Sequence, residues 1–161
     1  MAVEIREAEP GELGEARRLI EEYVESLDVD LGFQEIEKEL ADFPGAYAPP
    51  RGRFILAVID DRAVGCVAVR SFEEGCCEMK RLYVRPEARG LGAGRLLAVA
   101  AVEAGRELGY RRMRLDTLSD MEAARALYRS LGFREIEPYR FNPMPGTSFM
   151  ELDLGPALPR R

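Results

Sequence analysis

The feature that most constrains this chain lies between residues 76 and 109. Cys76–Val84 reads as a strand and is followed by Arg85-Pro86-Glu87-Ala88. Next comes Arg89-Gly90-Leu91-Gly92-Ala93-Gly94-Arg95, and then Leu97, Ala101, Ala104 and Leu108 at helical spacing, closed by Gly109. Few arrangements satisfy a strand that enters a helix through three glycines at every second position. Glycine admits backbone conformations that side chains resist and lets a ligand approach the main chain. The helix start adds free N–H groups and a partial positive charge. Together these make a phosphate seat that needs no particular side chain. On the glycines alone, a tight strand-to-helix turn is the simpler reading.

The rest of the chain supplies the context. Residues 2–8 alternate as a first strand. Ala16, Leu19, Ile20, Tyr23, Val24 and Leu27 recur at three- and four-residue spacing, which predicts an amphipathic helix. Phe33, Ile36, Leu40 and Phe43 predict a second helix ending before Pro44. Phe54–Ile59 and Ala63–Phe72 read as strands joined by a turn at Asp60–Arg62, and Glu73–Gly75 turns into the strand at Cys76. After the glycine loop and its helix, Arg112–Leu115 is a strand. Ala124, Leu127, Tyr128 and Leu131 form a helix stopped at Gly132, and Phe133–Ile136 and Phe149–Leu154 are closing strands. The order β-α-α-β-β-β-α-β-α-β-β is an antiparallel meander running into one βαβ crossover, a mixed α/β domain. At 161 residues, 47% hydrophobic and 32% charged, the expectation is one globular domain over residues 1–154 with a frayed tail at 155–161.

Composition removes several chemistries. There is no histidine, so nucleophile pairs built on histidine and histidine-containing metal sites are excluded in their usual forms. Any general base is a carboxylate, Tyr, Cys, Lys or a water relay. The three cysteines, Cys66, Cys76 and Cys77, fit neither a disulfide framework nor a four-cysteine zinc site and read as buried thiols; no metal is expected. The net charge of −6 argues against nucleic acid. The longest apolar run, Leu96–Val102, is too short for a membrane span, and the N-terminus lacks a signal segment, so a cytoplasmic protein is expected. Charge is uneven. Residues 1–47 hold 14 acids against four bases, whereas residues 80–114 hold nine bases against three acids. This division suggests two different ligands or ligand halves.

GxGxG followed by Arg is not a P-loop, and five residues separate the strand from the first glycine, unlike a dinucleotide fingerprint. Asp116 sits where a ribose-binding acid would, but no second βαβ half follows it, so it reads as a decoy. The chain does resemble the GNAT superfamily of acetyl-CoA-dependent N-acetyltransferases. Arg89, Gly92 and Gly94 match that family's loop. Val84-Arg85-Pro86 match its preceding strand end, and Ala124, Leu127, Tyr128, Gly132 and Phe133 match its later helix. The three features occur in order and span essentially the whole chain. The resemblance implies the GNAT fold, an α/β (α+β) domain whose mixed central sheet of about six or seven strands is flanked by about four helices.

It also implies a ternary mechanism, in which an amine attacks the thioester of acetyl-CoA directly. The pyrophosphate would rest on the backbone of Gly90, Leu91, Gly92, Ala93, Gly94 and Arg95, with Arg89 shaping the loop. Pantetheine would pair with the edge of Leu82, Tyr83 and Val84, where a backbone N–H near Leu82 would hold the thioester carbonyl. Tyr128 matches the tyrosine that protonates the departing thiolate; packing beside Leu127 and Leu131 is its bland alternative. Glu78 lies close to where histone-type members carry a catalytic glutamate. Strand alternation puts Glu78, Lys80, Leu82 and Val84 on one side. Burial would raise the Glu78 pKa and make it a base, while pairing with Lys80 or an arginine is an equally weighted reading. Met121 stands where many members have an asparagine that contacts pantetheine, with Asp120 or Ser119 as substitutes.

The acceptor is less constrained. Glu21, Glu22, Glu25, Asp28 and Asp30 would form an acidic rim that steers a cationic amine, though a solvated helix face explains most of them. Tyr139 and Asn142 are candidate acceptor contacts, and Arg140 beside them favours an acceptor with a carboxylate. The expected activity is N-acetylation of a small amine, amino acid or peptide N-terminus. The rival is a non-catalytic acyl-CoA sensor on the same fold, for which both Glu78 and Tyr128 would be superfluous. Homodimers are common in the superfamily; no residue here specifies one.

Overall fold

The computed structural model describes residues 2–27, 35–119 and 121–156. Seven strands form one sheet: β1 (Glu4–Glu7), β2 (Arg53–Ile59), β3 (Arg62–Glu73), β4 (Cys76–Val84), β5 (Arg112–Thr117), β6 (Arg134–Ile136) and β7 (Ser148–Asp153). Four helices accompany it: α1 (Leu13–Ser26), α2 (Ile36–Asp42), α3 (Ala93–Glu107) and α4 (Glu122–Ser130). The strand order is β1-β2-β3-β4-β5-β7-β6, with only β4 and β5 parallel. The expected mixed sheet with its flanking helices is what forms. Phe33, Asp28, Asp30, Asp120 and the end of the tail lie outside the described residues.

Side-chain alternation explains the layering. Along β2, Phe54, Leu56 and Val58 pack with Ala16, Leu19 and Ile20 of α1, while Ile55, Ala57 and Ile59 turn to the other face against Leu97, Ala98 and Ala101 of α3. The sheet is therefore buried on both sides, which is why β2 reads as an unbroken apolar run rather than an alternating one. Gly65 in β3 lets the next strand come close: a Cβ there would lie 2.7 Å from the Tyr83 carbonyl oxygen.

Two irregularities position the site. First, β4 and β5 pair only through Cys76↔Arg112, Cys77↔Met113 and Glu78↔Arg114. Beyond Glu78 the two strands no longer pair, and a cleft opens between them. Second, β4 carries a bulge. Its register against β3 jumps from Ala68↔Lys80 to Cys66↔Tyr83, and Arg81 adopts φ +62°. The bulge corrects the alternation expected from sequence. Leu82 and Val84 join the α3 side of the core, whereas Tyr83 packs on the α1 side and Arg81 reaches α2. Glu78 and Lys80 are thus separated from Leu82 and Val84 rather than aligned with them, because the extra residue reverses the pleat.

The division of charge is also resolved internally. Arg81 makes a two-pronged pair with Glu39 (2.9 and 2.8 Å), and Arg85 makes one with Glu22 (2.9 Å for each contact) plus a contact to Glu15 at 2.9 Å. Acids of the N-terminal segment are consumed by arginines of the middle one. Glu22 is therefore not part of a free acidic rim, and the two charged segments do not require two ligands. Glu25 pairs with Arg18 on the exposed face of α1.

Candidate active site

The cleft between the splayed strands is walled by Met79, Lys80, Arg81 and Leu82 of β4 and by Leu115, Asp116 and Thr117 of β5. Met121, Ala124 and Tyr128, one helical turn apart, close it from α4. Tyr23 and Leu27 complete it from α1, and Asn142 from the loop after β6.

On the donor side the glycine loop behaves as its sequence demands. Gly90 and Gly92 have φ of +85° and +82°, and a Cβ at either would meet open space. The conformation, not crowding, selects glycine there, and the space over the loop is left clear. Gly92 is the N-cap of α3 and makes no side-chain cap, which leaves the first-turn N–H groups of the helix available to a ligand. Arg89 Nε donates to the Val84 carbonyl at 3.1 Å and ties the loop back to the strand. Leu91 is exposed and Ala93 buried. Arg95 donates to Ser130 Oγ at 3.0 Å, joining α3 to α4. These residues fit a pyrophosphate group, with the unpaired edge of β4 running on from the loop.

Tyr128 is 7% exposed and lines the cleft. Burial, with Tyr23 and Asp116 nearby, raises its pKa, so the phenol holds its proton at neutral pH. Its carbonyl accepts from Phe133 N at 3.0 Å, and the Tyr128 and Phe133 rings lie 5.8 Å apart. The motif's Gly132-Phe133 end is thus a helix cap that fixes the tyrosine.

Glu78 is fully buried and does not line the cleft. It accepts from Arg70 Nε and Tyr139 Oη, each at 2.9 Å, and pairs with Arg140 at 2.6 Å. Burial pushes its carboxyl up, but Lys80, Arg140, Arg70 and the Tyr139 hydroxyl together outweigh that, and the pKa is lowered. The expectation of a raised pKa is therefore overturned by Lys80 two residues along the strand, Arg70 on the neighbouring strand and Arg140 from a distant loop; the alternative expectation, pairing with an arginine across the strand, is what forms. Tyr139 is likewise committed. Its ring packs between Phe72 (5.1 Å) and Phe149 (5.3 Å), its hydroxyl serves Glu78, and it does not line the cleft as an acceptor contact. Asn142 does line it and donates to Asp116 Oδ2 at 3.1 Å.

Of the residues expected from sequence, the cleft gathers Leu82, Met121, Tyr128 and Asn142, and the glycine loop lies at the end of the same strand. Tyr83 turns its side chain away toward Glu22 and Tyr23, leaving only its backbone on the strand edge. Sequence reading passed over Lys80 and Arg81, and set aside Asp116, all of which wall the cleft. One signal was available. Lys80 is one of only two lysines in a chain with 21 arginines, and it sits mid-strand among buried positions.

A model described as the Acetyltransferase (GNAT) family matches residues 16–133. The chain belongs to that family. An uncharacterized N-acetyltransferase of Schizosaccharomyces pombe is 44% identical over 147 residues, 90% of each chain. Human N-acetylaspartate synthetase is 32% identical over 81% of this chain and 41% of its own length. Among solved structures, a GNAT acetyltransferase from Staphylococcus aureus matches with a TM-score of 0.77 at 22% identity, covering 95% of this chain and 99% of that one. A GNAT phosphinothricin acetyltransferase from Sinorhizobium meliloti, solved with acetyl-CoA, matches with 0.72 at 22% identity, covering 96% and 90%. The seven-stranded sheet with four helices is the GNAT fold, and the protein is an acetyltransferase.

Proposed function

We propose that this GNAT enzyme transfers an acetyl group from acetyl-CoA to the primary amine of a small molecule, amino acid or peptide, by direct attack in a ternary complex. Bound acetyl-CoA supplies the thioester that the amine attacks. The backbone from Gly90 to Arg95 holds the pyrophosphate, and the free edge at Leu82–Val84 accepts the pantetheine arm by ladder hydrogen bonds. An N–H near Leu82 takes the thioester carbonyl oxygen. The amine attacks in its uncharged form, Tyr128 gives its proton to the departing sulfur, and the proton that the nitrogen loses as the amide forms restores the Tyr128 phenol. Glu78, ionised and fully engaged, positions Tyr139 and Arg140 instead of taking a proton. The human relative is named for an acetylated amino acid, N-acetylaspartate, which supports an amino acid among the candidates. The observation that carries the reading is Tyr128, a buried phenol held protonated on the wall where β4 loses its partner strand.

The test is CoA thiol release from acetyl-CoA over a panel of amines, polyamines, amino acids and short peptides, wild type beside Tyr128→Phe. We expect kcat to fall about 100-fold or more in the variant, the usual worth of a positioned proton donor, with acetyl-CoA still raising the melting temperature. Unchanged turnover would remove Tyr128 from the mechanism. A silent panel with acetyl-CoA still bound would favour the non-catalytic acyl-CoA sensor.

A further inference from the structure

Lys80 is 8% exposed, lines the cleft, and makes no hydrogen bond or ion pair with any described residue. A cation so far removed from water ordinarily has a counter-ion. The charged groups around it are Glu78 and Arg81 of β4, Arg70 of β3, Arg140 of the loop after β6, and Glu39 of α2. Both carboxylates are already taken, Glu78 by Arg70 and Arg140 and Glu39 by Arg81. Neither carboxylate is thus left for Lys80, which among the described residues brings an unmatched positive charge to the cleft. Tyr23 and Tyr128 face the same space from α1 and α4. On the opposite wall stands Asp116, the one acid among the described residues lining the cleft, accepting from Asn142.

The geometry points to an acceptor that carries a carboxylate beside its amine, an amino acid, with Lys80 as the anchor for the carboxylate and Asp116 facing the ammonium. This rests on the acetyltransferase reading and narrows its acceptor. An uncharged amine gives Lys80 nothing, and a polyamine adds charge of the wrong sign to a wall that is already positive. A carboxylate supplies the missing anion, and its mutual attraction with a poorly solvated ammonium is stronger than in water. Burial, with Arg81 next, pushes the Lys80 ammonium down to about 7 in the free cleft. A bound carboxylate would push it up again, so the acceptor is expected to bring a proton onto Lys80.

Two measurements test this on the full chain. In the first, kcat and KM are compared for amino acids and for the corresponding decarboxylated amines, in wild type and in Lys80→Met, which keeps an unbranched side chain without charge. We expect wild type to prefer the amino acid. In the variant its KM should rise about 10- to 100-fold, the worth of one charge-assisted contact. A wild type indifferent to the carboxylate, or a variant that loses kcat equally with every acceptor, would overturn the anchor, the latter by making Lys80 a proton carrier. In the second, the chain is labelled with 13C and 15N at the lysine side chains. It has two lysines, Lys38 and Lys80, so Lys80→Met assigns the spectrum. With CoA present, the amino acid should shift the Lys80 signal toward the protonated form and the decarboxylated amine should not. Equal response to both, or to neither, would overturn the proposal even if no acceptor is turned over. Silent turnover would count against the acetyltransferase reading alone.

Discussion

The two regions at the splayed strands are built from different materials. The first, proposed for the donor, is main chain: positive-φ glycines at 90 and 92, the start of α3 and the free edge of β4. The second, proposed for the acceptor, is side chain, with Lys80 and Arg81 on the cleft wall and Glu78, Arg70 and Arg140 packed behind them from two strands and a loop. A main-chain site tolerates varied side chains as long as backbone geometry is kept, so it suits a ligand common to many proteins. A site of buried charges can be retuned by single substitutions, because each removed partner leaves another uncompensated. The difference explains why the first region is legible from a loop while the second depends on which charges meet in three dimensions.

The comparison is broken most severely at Glu78. Glu78→Gln leaves Arg70 and Arg140 without their shared anion, and breaking a buried pair costs about 3–5 kcal/mol, on the order of 10 °C in melting temperature. Thermal unfolding with and without acetyl-CoA checks this, and the ligand should stabilise the variant as it does wild type. The same network sets the acid limit. Glu78 and Glu39 have lowered pKa values in the fold, so their contribution is present above the ordinary carboxylate range and is lost as pH falls through the lowered values. Wild type should therefore lose stability toward low pH more steeply than Glu78→Gln.

Gly92→Ala strikes the other region. A side chain at φ +82° costs about 1–2 kcal/mol in the fold, and the added methyl stands in the open space above the loop. Acetyl-CoA affinity by calorimetry should drop about 10-fold, roughly 1.4 kcal/mol. The acceptor preference among enzymes saturated with acetyl-CoA should not change. The smallest effect is expected at a pair that belongs to neither region. Arg129 and Glu135 form a 2.9 Å bridge with both side chains more than half exposed, and Arg129→Ala should change stability by less than about 0.5 kcal/mol.

These contrasts follow what sequence patterns can carry. The amphipathic repeat of α1, the unbroken apolar β2, the full span of β4 and the Gly132 stop of α4 were all readable, because periodicity and glycine act locally. The bulge at Arg81 was not, since alternation assumes an uninterrupted pleat and arginine carries no local signal for φ +62°. The pairing of Arg81 with Glu39 spans 42 positions, and that of Tyr139 with Glu78 spans 61. Neither partner's residue type announces the other.

What the sequence by itself determined is the order of elements, the glycine loop and the placement of Tyr128 on a helix capped by Gly132-Phe133. Each depends on short-range backbone preference or on residues within a turn or two of one another. Only the tertiary structure decided which acids are spent on which arginines, that Glu78 is buried among cations that lower its pKa, and that Lys80 faces the cleft with no hydrogen bond or ion pair to a described residue. Charge compensation is set by distances across strands and helices, and those distances exist only once the sheet has formed.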